Sequence, residues 1–571
     1  MKTKTKRWSI AGVCVLLLAG IGGYFYMSNS TSNSDNDTTK TETAEFTLPV
    51  AESDDVQEVD YSDLSIDSYT DVFNESNQQA IEDKVDELKE STSATFPDVL
   101  AISNPYLTNT TGLYVYFTTE EATKVSYTIT AKGYEDYEGT LYNKNGTYSK
   151  EHEYQVIGFV GGVENTLTLT ATQEDGTKQT TKVTYTPPTL QTTDSKSYKT
   201  TDGSSSDELS NGLYAVIGDQ GTDRRGTYLV DNDGVIRAEY PVISYNANRL
   251  NFDDDNNMYY AVSKSKIVQE NSLGEVTKVY NIGDSGYGLH HDMVLDDDGN
   301  LLVLATNKQD EEDENLIEDK IIRVNTDSGK VTSIADFRDL LPDLYSEATG
   351  IESITSYHGK WDPMHLNTIQ YLGDDSIIVS SRETSTVIKL DNISSEADID
   401  YFISDDSVWD GIGDYSDYVL DKDGDFTSQS GQHSVTYEED DSLPDGEYYL
   451  YMFDNNSAIM DSRKDFDWSA YPDAGSEDPD DDATSHYYKY LVNENTGSYS
   501  LVDEFDVPYS PLISSVQNLE NGNILVDSGQ QGVFSEYDSD QNIIRTFTAR
   551  SDSKFIYRVY KYDFTDFYFS E

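Results

Sequence analysis

From about residue 209 to the C-terminus, apolar and polar positions alternate in short bursts separated by acidic or Asn-Gly turns. The unit is a short apolar strand, a turn, a second apolar strand and then a third. It recurs in "GLYAVIGDQGTDRRGTYLVDNDGVIRAEY", "RLNFDDDNNMYYAVS", "HDMVLDDDGNLLVLA", "LNTIQYLGDDSIIVSSR", "VTYEEDDSLPDGEYYLYMFD" and "SSVQNLENGNILVDSG". Period-two alternation marks strands, and Asp-Gly, Asn-Gly and Asp-Asn turns favour tight hairpins. The second strands return every ~40 to 75 residues, the spacing of propeller blades carrying insertions. Six units predict a six-bladed β-propeller over residues 209–571. A parallel β-helix fits less well, because these are hairpin turns.

Upstream, residues 98–190 show the same alternation in "GLYVYFTT", "KVSYTITAKG", "HEYQVIGFV" and "NTLTLTATQEDG". They predict a small antiparallel β-sandwich, joined to the propeller by a Pro/Ser/Thr/Asp-rich linker over residues 191–208. The fold class is therefore all-β. Residues 28–97 read as an acidic, extended stalk, interrupted where Ala80, Ile81, Val85 and Leu88 recur at helical spacing and predict a short amphipathic helix over residues 74–90. Residues 1–27 open with Lys2, Lys4, Lys6 and Arg7, followed by an apolar run from Trp8 to Met27. About 20 apolar residues make a helix long enough to cross a bilayer, and basic residues on its near side orient the rest outward. The expectation is a cell-membrane protein with one N-terminal span and the rest of the chain extracellular, or a secreted protein if the segment is cleaved.

Composition narrows the partners. With 39 Lys+Arg against 106 Asp+Glu the net charge is −67, which excludes a general nucleic-acid binder and docking on anionic lipid heads. The single Cys14, inside the apolar run, excludes intramolecular disulfides, Cys-ligated zinc and thiol catalysis in the folded part. The acidic turns Asp253–Asp255, Asp296–Asp298 and Asp421–Asp425 complete no calcium-loop spacing and read as solvated hairpin tips.

The seven histidines are rare enough to be informative. His152, His358 and His486 carry no pattern. His290 and His291 open "HHDMVL", His365 opens "HLNTIQYL" and His433 opens "HSVTYEE". His290, His365 and His433 follow at intervals of 75 and 68 residues, about one blade each. Equivalent positions in successive blades converge about the propeller axis, so three imidazoles meet from sites far apart in sequence. Arg382 ends the second strand of the His365 unit, and Asn367, two residues from His365, shares its strand face. Such a cationic, donor-rich pocket in an acidic protein suits a small oxyanion such as sulfate or phosphate. Three His can also hold zinc, copper or iron. The neighbouring Arg382 disfavours a cation, and only Asp292 offers a nearby carboxylate, so the expectation is no metal and no cofactor.

At these residues the sequence resembles the bacterial arylsulfate sulfotransferase family, which uses no nucleotide sulfate donor. "NPYLTNTTGLYVYFTT" and "HEYQVIGFVGGVENTLTL" resemble its N-terminal sandwich. "LHHDMVLDDDGNLLVLA", "DPMHLNTIQYLGDDSIIVSSR", the Gln-His of "SGQHSVTYEE" and "SVQNLENGNILVDSG" resemble its propeller motifs. The resemblance implies sulfuryl transfer from one phenol to another through a covalent sulfohistidine, with small-molecule aryl sulfates and phenols as partners. It implies His433 as nucleophile and His365, Asn367 and Arg382 as donors to the sulfuryl oxygens. His290 is the acid–base residue, preferred to His291 because His290-His291-Asp292 aligns with His365-Leu366-Asn367. The cysteine pair of some family members is lacking. The alternative is a non-catalytic cell-surface propeller that binds a sulfated or phenolic ligand or a protein.

Overall fold

A computed structural model describes residues 46, 48, 50–51 and 53–570, apart from 220–225, 245–246, 349–359, 459, 464, 471–482, 550–552 and 554. The Trp8–Met27 run and the span expected there lie outside the described residues, as does His358. Among the described residues no helix is long and apolar enough to cross a membrane. The cell-membrane location read from the sequence is corrected accordingly, since no spanning element among the described residues carries it.

Among the described residues six sheets of four or five strands follow one another from residue 199 to residue 562, antiparallel except where the short Asp421–Lys422 edge strand runs parallel to Ser498–Val507 in blade 5. Blade 2 runs from Asn251–Phe252 to Val276–Asn281, blade 3 from Tyr287–Leu295 to Val331–Asp336, and blade 4 from Leu366–Gly373 to Asp398–Ile403. Blade 5 runs from His433–Glu438 to Ser498–Val507, and blade 6 from Ser515–Asn518 to Ile543–Thr548. Blade 1 is built from both ends. Leu213–Ile217, Gly226–Val230 and Ile236–Pro241 supply three strands, and the C-terminal Arg558–Tyr562 pairs with Leu213–Ile217 as the innermost. Lys199–Asp202 in turn pads the outer edge of blade 6. These two exchanges close the ring and leave no free seam.

The blades stack face to face, with a separate apolar cluster in each contact zone. Leu302, Leu304, Ile377 and Val379 pack between blades 3 and 4, and Ile378, Val387, Leu450 and Tyr490 between blades 4 and 5. Strands covered on both faces must fill every position with apolar side chains or small hydrogen-bonded ones. That is why "LLVLA" and "SIIVSS" are buried throughout, and why many of the tyrosines are interior. The hairpin tips are Asx turns: Asp253, Asp296 and Asp538 each accept from the backbone N–H groups two and four residues on through one carboxylate oxygen.

In the N-terminal domain, Leu113–Ala131 spans the whole sheet. Its first half pairs with Leu100–Ser103 and Ser149–Val156, and its second with Tyr137–Thr140 and Asn165–Gln173. The strand bends across the exposed residues Glu120 and Glu121, so the two halves fold over one core. The helix forms over Glu75–Ser91, capped by the Asn74 side chain, which accepts from Ser76 and Asn77 N–H. The stretch before it is not a free stalk. Gln57 bridges to the Leu100–Ser103 strand, and Val59, Ile66 and Val72 are buried in the sandwich core. These three apolar residues are spread too thinly to show a period, yet each finds an apolar seat.

Candidate active site

The innermost strands of adjacent blades lie side by side around the axis, and the expected histidines sit in or at the start of them, while Arg382 follows the second strand of blade 4, Ser376–Ser381. His290 and His291 lie in Tyr287–Leu295, His365 immediately precedes Leu366–Gly373, and His433 starts its strand. Tyr557 immediately precedes Arg558–Tyr562. Strands related by rotation about the axis begin at the same end of it, so all five side chains belong to one mouth.

A shared backbone device aims them. His291, His365 and Ser434 adopt left-handed conformations with φ of 42°, 48° and 56°. The register slips at the same places, between Leu289 and Met293, Leu366 and Thr368, and His433 and Thr436. A bulge at the start of an inner strand turns side chains out of the pleat, at a strain cost of about 1–3 kcal/mol for each non-glycine residue so held. The left-handed conformation that precedes the His365 strand recurs at His291, not at His290, so the backbone parallel differs from the sequence alignment.

The rings form a connected cluster. Centroids are 5.1 Å apart for His290–His291, 4.7 Å for His291–His365, 5.8 Å for His291–Tyr557 and 6.3 Å for His433–Tyr557. Arg382 joins through its charge, which acts on both His365 and His433. Its Nη2 donates to Glu383 at 2.9 Å, and Glu383 is held by Ser462 N–H at 2.7 Å.

His433 is fixed in one tautomer. The Asn455 amide donates through Nδ2 to the carbonyls of Ser510 and Ile513 at 2.7 and 2.9 Å. Its Oδ1 therefore faces His433 Nδ1 at 2.8 Å, with the Gly431 carbonyl at 3.0 Å. Two acceptors on Nδ1 require the proton there and leave the Nε2 lone pair bare. Burial pushes this imidazole down to about 3, the His365 and Arg382 charges adding to the effect against the hydrogen bonds to Asn455 and Gly431. His433 is thus a neutral imidazole at physiological pH.

His365 is the opposite case. Burial and the Arg382 charge press it down, but the Asp362 and Glu318 carboxylates outweigh them and raise it to about 9. Its Nδ1 lies 2.5 Å from Asp362 and 3.1 Å from Glu318, and its backbone N–H also donates to Asp362 at 2.8 Å. Burial holds His290 near 4, with Glu318 opposing, and depresses His291 well below the usual imidazole range. Nδ1 of His290 lies 2.9 Å from Nδ1 of His291. The site therefore pairs a neutral imidazole with two cations, His365 and Arg382, inside an acidic protein.

Asn367 does not share this cradle in the way the sequence implied. Its side chain is wholly buried, with Nδ2 donating to the Gln432 carbonyl at 2.7 Å and Oδ1 accepting from Thr368 at 3.1 Å. It ties blade 4 to the residue preceding His433. Asp292 is likewise structural: it is buried and clamped by Arg249 and Arg558, each with an oxygen at 2.9 Å or closer. Sequence reasoning missed Asn455, Glu318, Asp362 and Tyr557, whose phenol oxygen is buried without a hydrogen bond among the described residues. His152 is bonded within the sandwich, and His486 pairs with Asp454 at 2.8 Å in blade 5.

Comparison with known proteins supplies the family context. Residues 199–567 match the family model described as arylsulfotransferase (ASST), and residues 100–189 match that of the arylsulfotransferase Ig-like domain. No curated protein sequence matches this chain. Among solved structures, a Bacteroides caccae protein of unknown function is similar at 12% identity, covering 61% of this chain and 98% of its own, with a TM-score of 0.36. An inactive virginiamycin B lyase variant from Staphylococcus aureus is similar at 13% identity, covering 62% and 89%, with a TM-score of 0.32. A putative 6-phosphogluconolactonase from Bacteroides fragilis is similar at 12% identity, covering 77% and 98%, also with a TM-score of 0.32.

Proposed function

Since the chain belongs to the arylsulfotransferase family, and is accordingly an aryl sulfotransferase, we propose that it works through a sulfohistidine at His433, with ping-pong kinetics and no nucleotide sulfate donor. The donor is an aryl sulfate ester and the acceptor a phenol. The observation that carries this reading is the Asn455–His433 arrangement, which leaves a neutral imidazole with a bare Nε2 beside two cationic side chains.

In the first half-reaction His433 Nε2 attacks sulfur. The N–S bond forms as the S–O(aryl) bond breaks, and the phenolate leaves with the bonding pair and takes its proton from water. Arg382 and the His365 imidazolium hold the sulfuryl oxygens, where negative charge persists through the transfer. Asp362 orients His365 and keeps it charged. In the second half-reaction the acceptor oxygen attacks sulfur and the N–S bond breaks. The neutral His290–His291 pair takes the acceptor's proton and passes it to solvent. Tyr557 offers an aromatic face beside His433 and His291 for a substrate ring. Asn367 acts one step back, by fixing the backbone that carries His433.

The test is transfer from 4-nitrophenyl sulfate to phenol without any nucleotide. Parallel double-reciprocal lines are expected, together with complete loss of transfer in His433→Ala. Transfer retained in His433→Ala, or intersecting lines, would reject the mechanism.

A further inference from the structure

Beside His433 the structure assembles a second donor set that the transfer chemistry does not use as a unit. One ring nitrogen each of His290 and His291 and a Glu318 carboxylate oxygen lie within 4.8 Å of one another, the two Nδ1 atoms facing each other. The two nitrogens are 2.9 Å apart, and Glu318 Oε2 is 3.6 Å from His291 Nδ1. Two ligands each ~2.0–2.1 Å from one ion stand roughly 2.9 Å apart at a right angle and about 3.4 Å apart in a tetrahedron, so the imidazole edge fits a single small cation and the Glu318 edge is slightly longer than a tetrahedral one.

We propose that His290, His291 and Glu318 form a binding site for a divalent first-row transition-metal ion, and that filling it switches off sulfuryl transfer.

Three observations support the site. The donors are two imidazoles and one carboxylate, the set that leaves open positions on non-haem iron and suits zinc, cobalt and nickel. Glu318 Oε2 already lies 3.1 Å from His365 Nδ1 and 3.6 Å from His291 Nδ1, so the carboxylate is seated among the imidazoles. Glu318 is also held in a left-handed conformation, φ 66°, with its N–H donating to Thr306 Oγ1 at 3.0 Å, so its carboxylate is aimed by strained backbone. The sequence expectation of no metal rests on the neighbouring Arg382 and on Asp292 as the sole nearby carboxylate. Instead Glu318 arrives from the connection between the second and third strands of blade 3, while Asp292 is consumed by Arg249 and Arg558. On His290 and His291 the foremost charge is that of Glu318, whereas Arg382 weighs on His365 and His433.

The regulatory half rests on the proposed function: an ion on both His290 and His291 removes the pair that accepts the phenol's proton. The binding half does not, so the two are tested separately. Chelator-stripped full-length protein is titrated with Co²⁺ and Zn²⁺ in excess Mg²⁺, which occupies surface carboxylates because it prefers oxygen ligands. One tight site per chain is expected, read by Co²⁺ absorption and by calorimetry. Loss of an outer partner alone weakens metal sites ~10–100-fold, so Glu318→Gln and His291→Ala should each weaken binding at least about 100-fold, while His433→Ala binds normally. Circular dichroism checks each variant, and either one that folds decides the matter. Absence of a saturable site in Mg²⁺, or a site unmoved by the folded variant, overturns the binding proposal. In the wild type, Zn²⁺ should suppress turnover of 4-nitrophenyl sulfate and a chelator restore it. Full turnover with the site loaded overturns the switch. A tight site in a protein that never transfers sulfuryl groups would instead reject the proposed function and the switch, and leave the binding site standing.

Discussion

A histidine serves as a nucleophile only while one ring nitrogen is bare and the ring is uncharged; in His433 the first condition traces to Asn455 and the second to burial. The Ser510 and Ile513 carbonyls decide which way that amide points, the amide decides which nitrogen carries the proton, and burial keeps the ring neutral. Replacing Asn455→Ala should lower the rate of transfer to His433 by on the order of 10² with little change in KM for the donor, measured by single-turnover release of nitrophenol. An unchanged rate would show that Gly431 alone suffices. The strand-starting histidines were legible because the blade repeat places them at matching positions. Asn455, Glu318, Asp362 and Tyr557 were not, because they fall in connections that follow no repeat and resemble any other polar loop residue. The choice between His290 and His291 was equally hidden: it turns on a left-handed φ that no residue type announces.

At the scale of elements, the hairpin tips show how much local chemistry the sequence carried. Each first Asp closes its turn by accepting from the backbone two and four residues on. The fourth position of the tip is left-handed, and Asn256, Gly299 and Gln541 occupy it in blades 2, 3 and 6. Gln541 is the worst suited of the three, so Gln541→Gly should stabilise the protein by about 1 kcal/mol, seen as a higher urea midpoint with the same slope. A lower midpoint would mean that the Gln541–Asp503 hydrogen bond outweighs the backbone strain. In the sandwich, His152 is buried against Phe117 and bonded to Tyr154 and Thr123, and burial pushes it down to about 4 from 6.5. Between those values the unfolded chain binds the proton and the native one does not, so this contribution is complete above pH 6.5 and fades as the pH falls toward 4. Urea unfolding across that window should show stability dropping with pH, less steeply in His152→Asn. Identical slopes for the two proteins would contradict this assignment.

At the scale of the whole molecule, closure and charge dominate. The C-terminal strand lies innermost in blade 1, and the chain entering the propeller pads blade 6, so the ring is fastened by its own ends. Six unit repeats and hairpin turns made the propeller readable, whereas which end supplies which strand was not, because pairing partners far apart in sequence leave no local trace. The docking of residues 57–72 on the sandwich was missed for the same reason. A net charge of −67 makes the compact state repel itself. Added NaCl screens exposed charges over a Debye length of ~10 Å at 0.1 M, so the melting temperature should rise with salt. A flat or falling dependence would mean that surface ion pairs outweigh the repulsion.

All of this converges on a covalent intermediate at one imidazole. The most direct measurement is to incubate the protein with sulfur-labelled 4-nitrophenyl sulfate in the absence of acceptor, quench under alkaline conditions and map the labelled peptide. The expected result is one sulfuryl group per chain on His433, discharged on adding phenol and absent from His433→Ala. Turnover that leaves no labelled protein, or a label carried by another residue, would contradict the account.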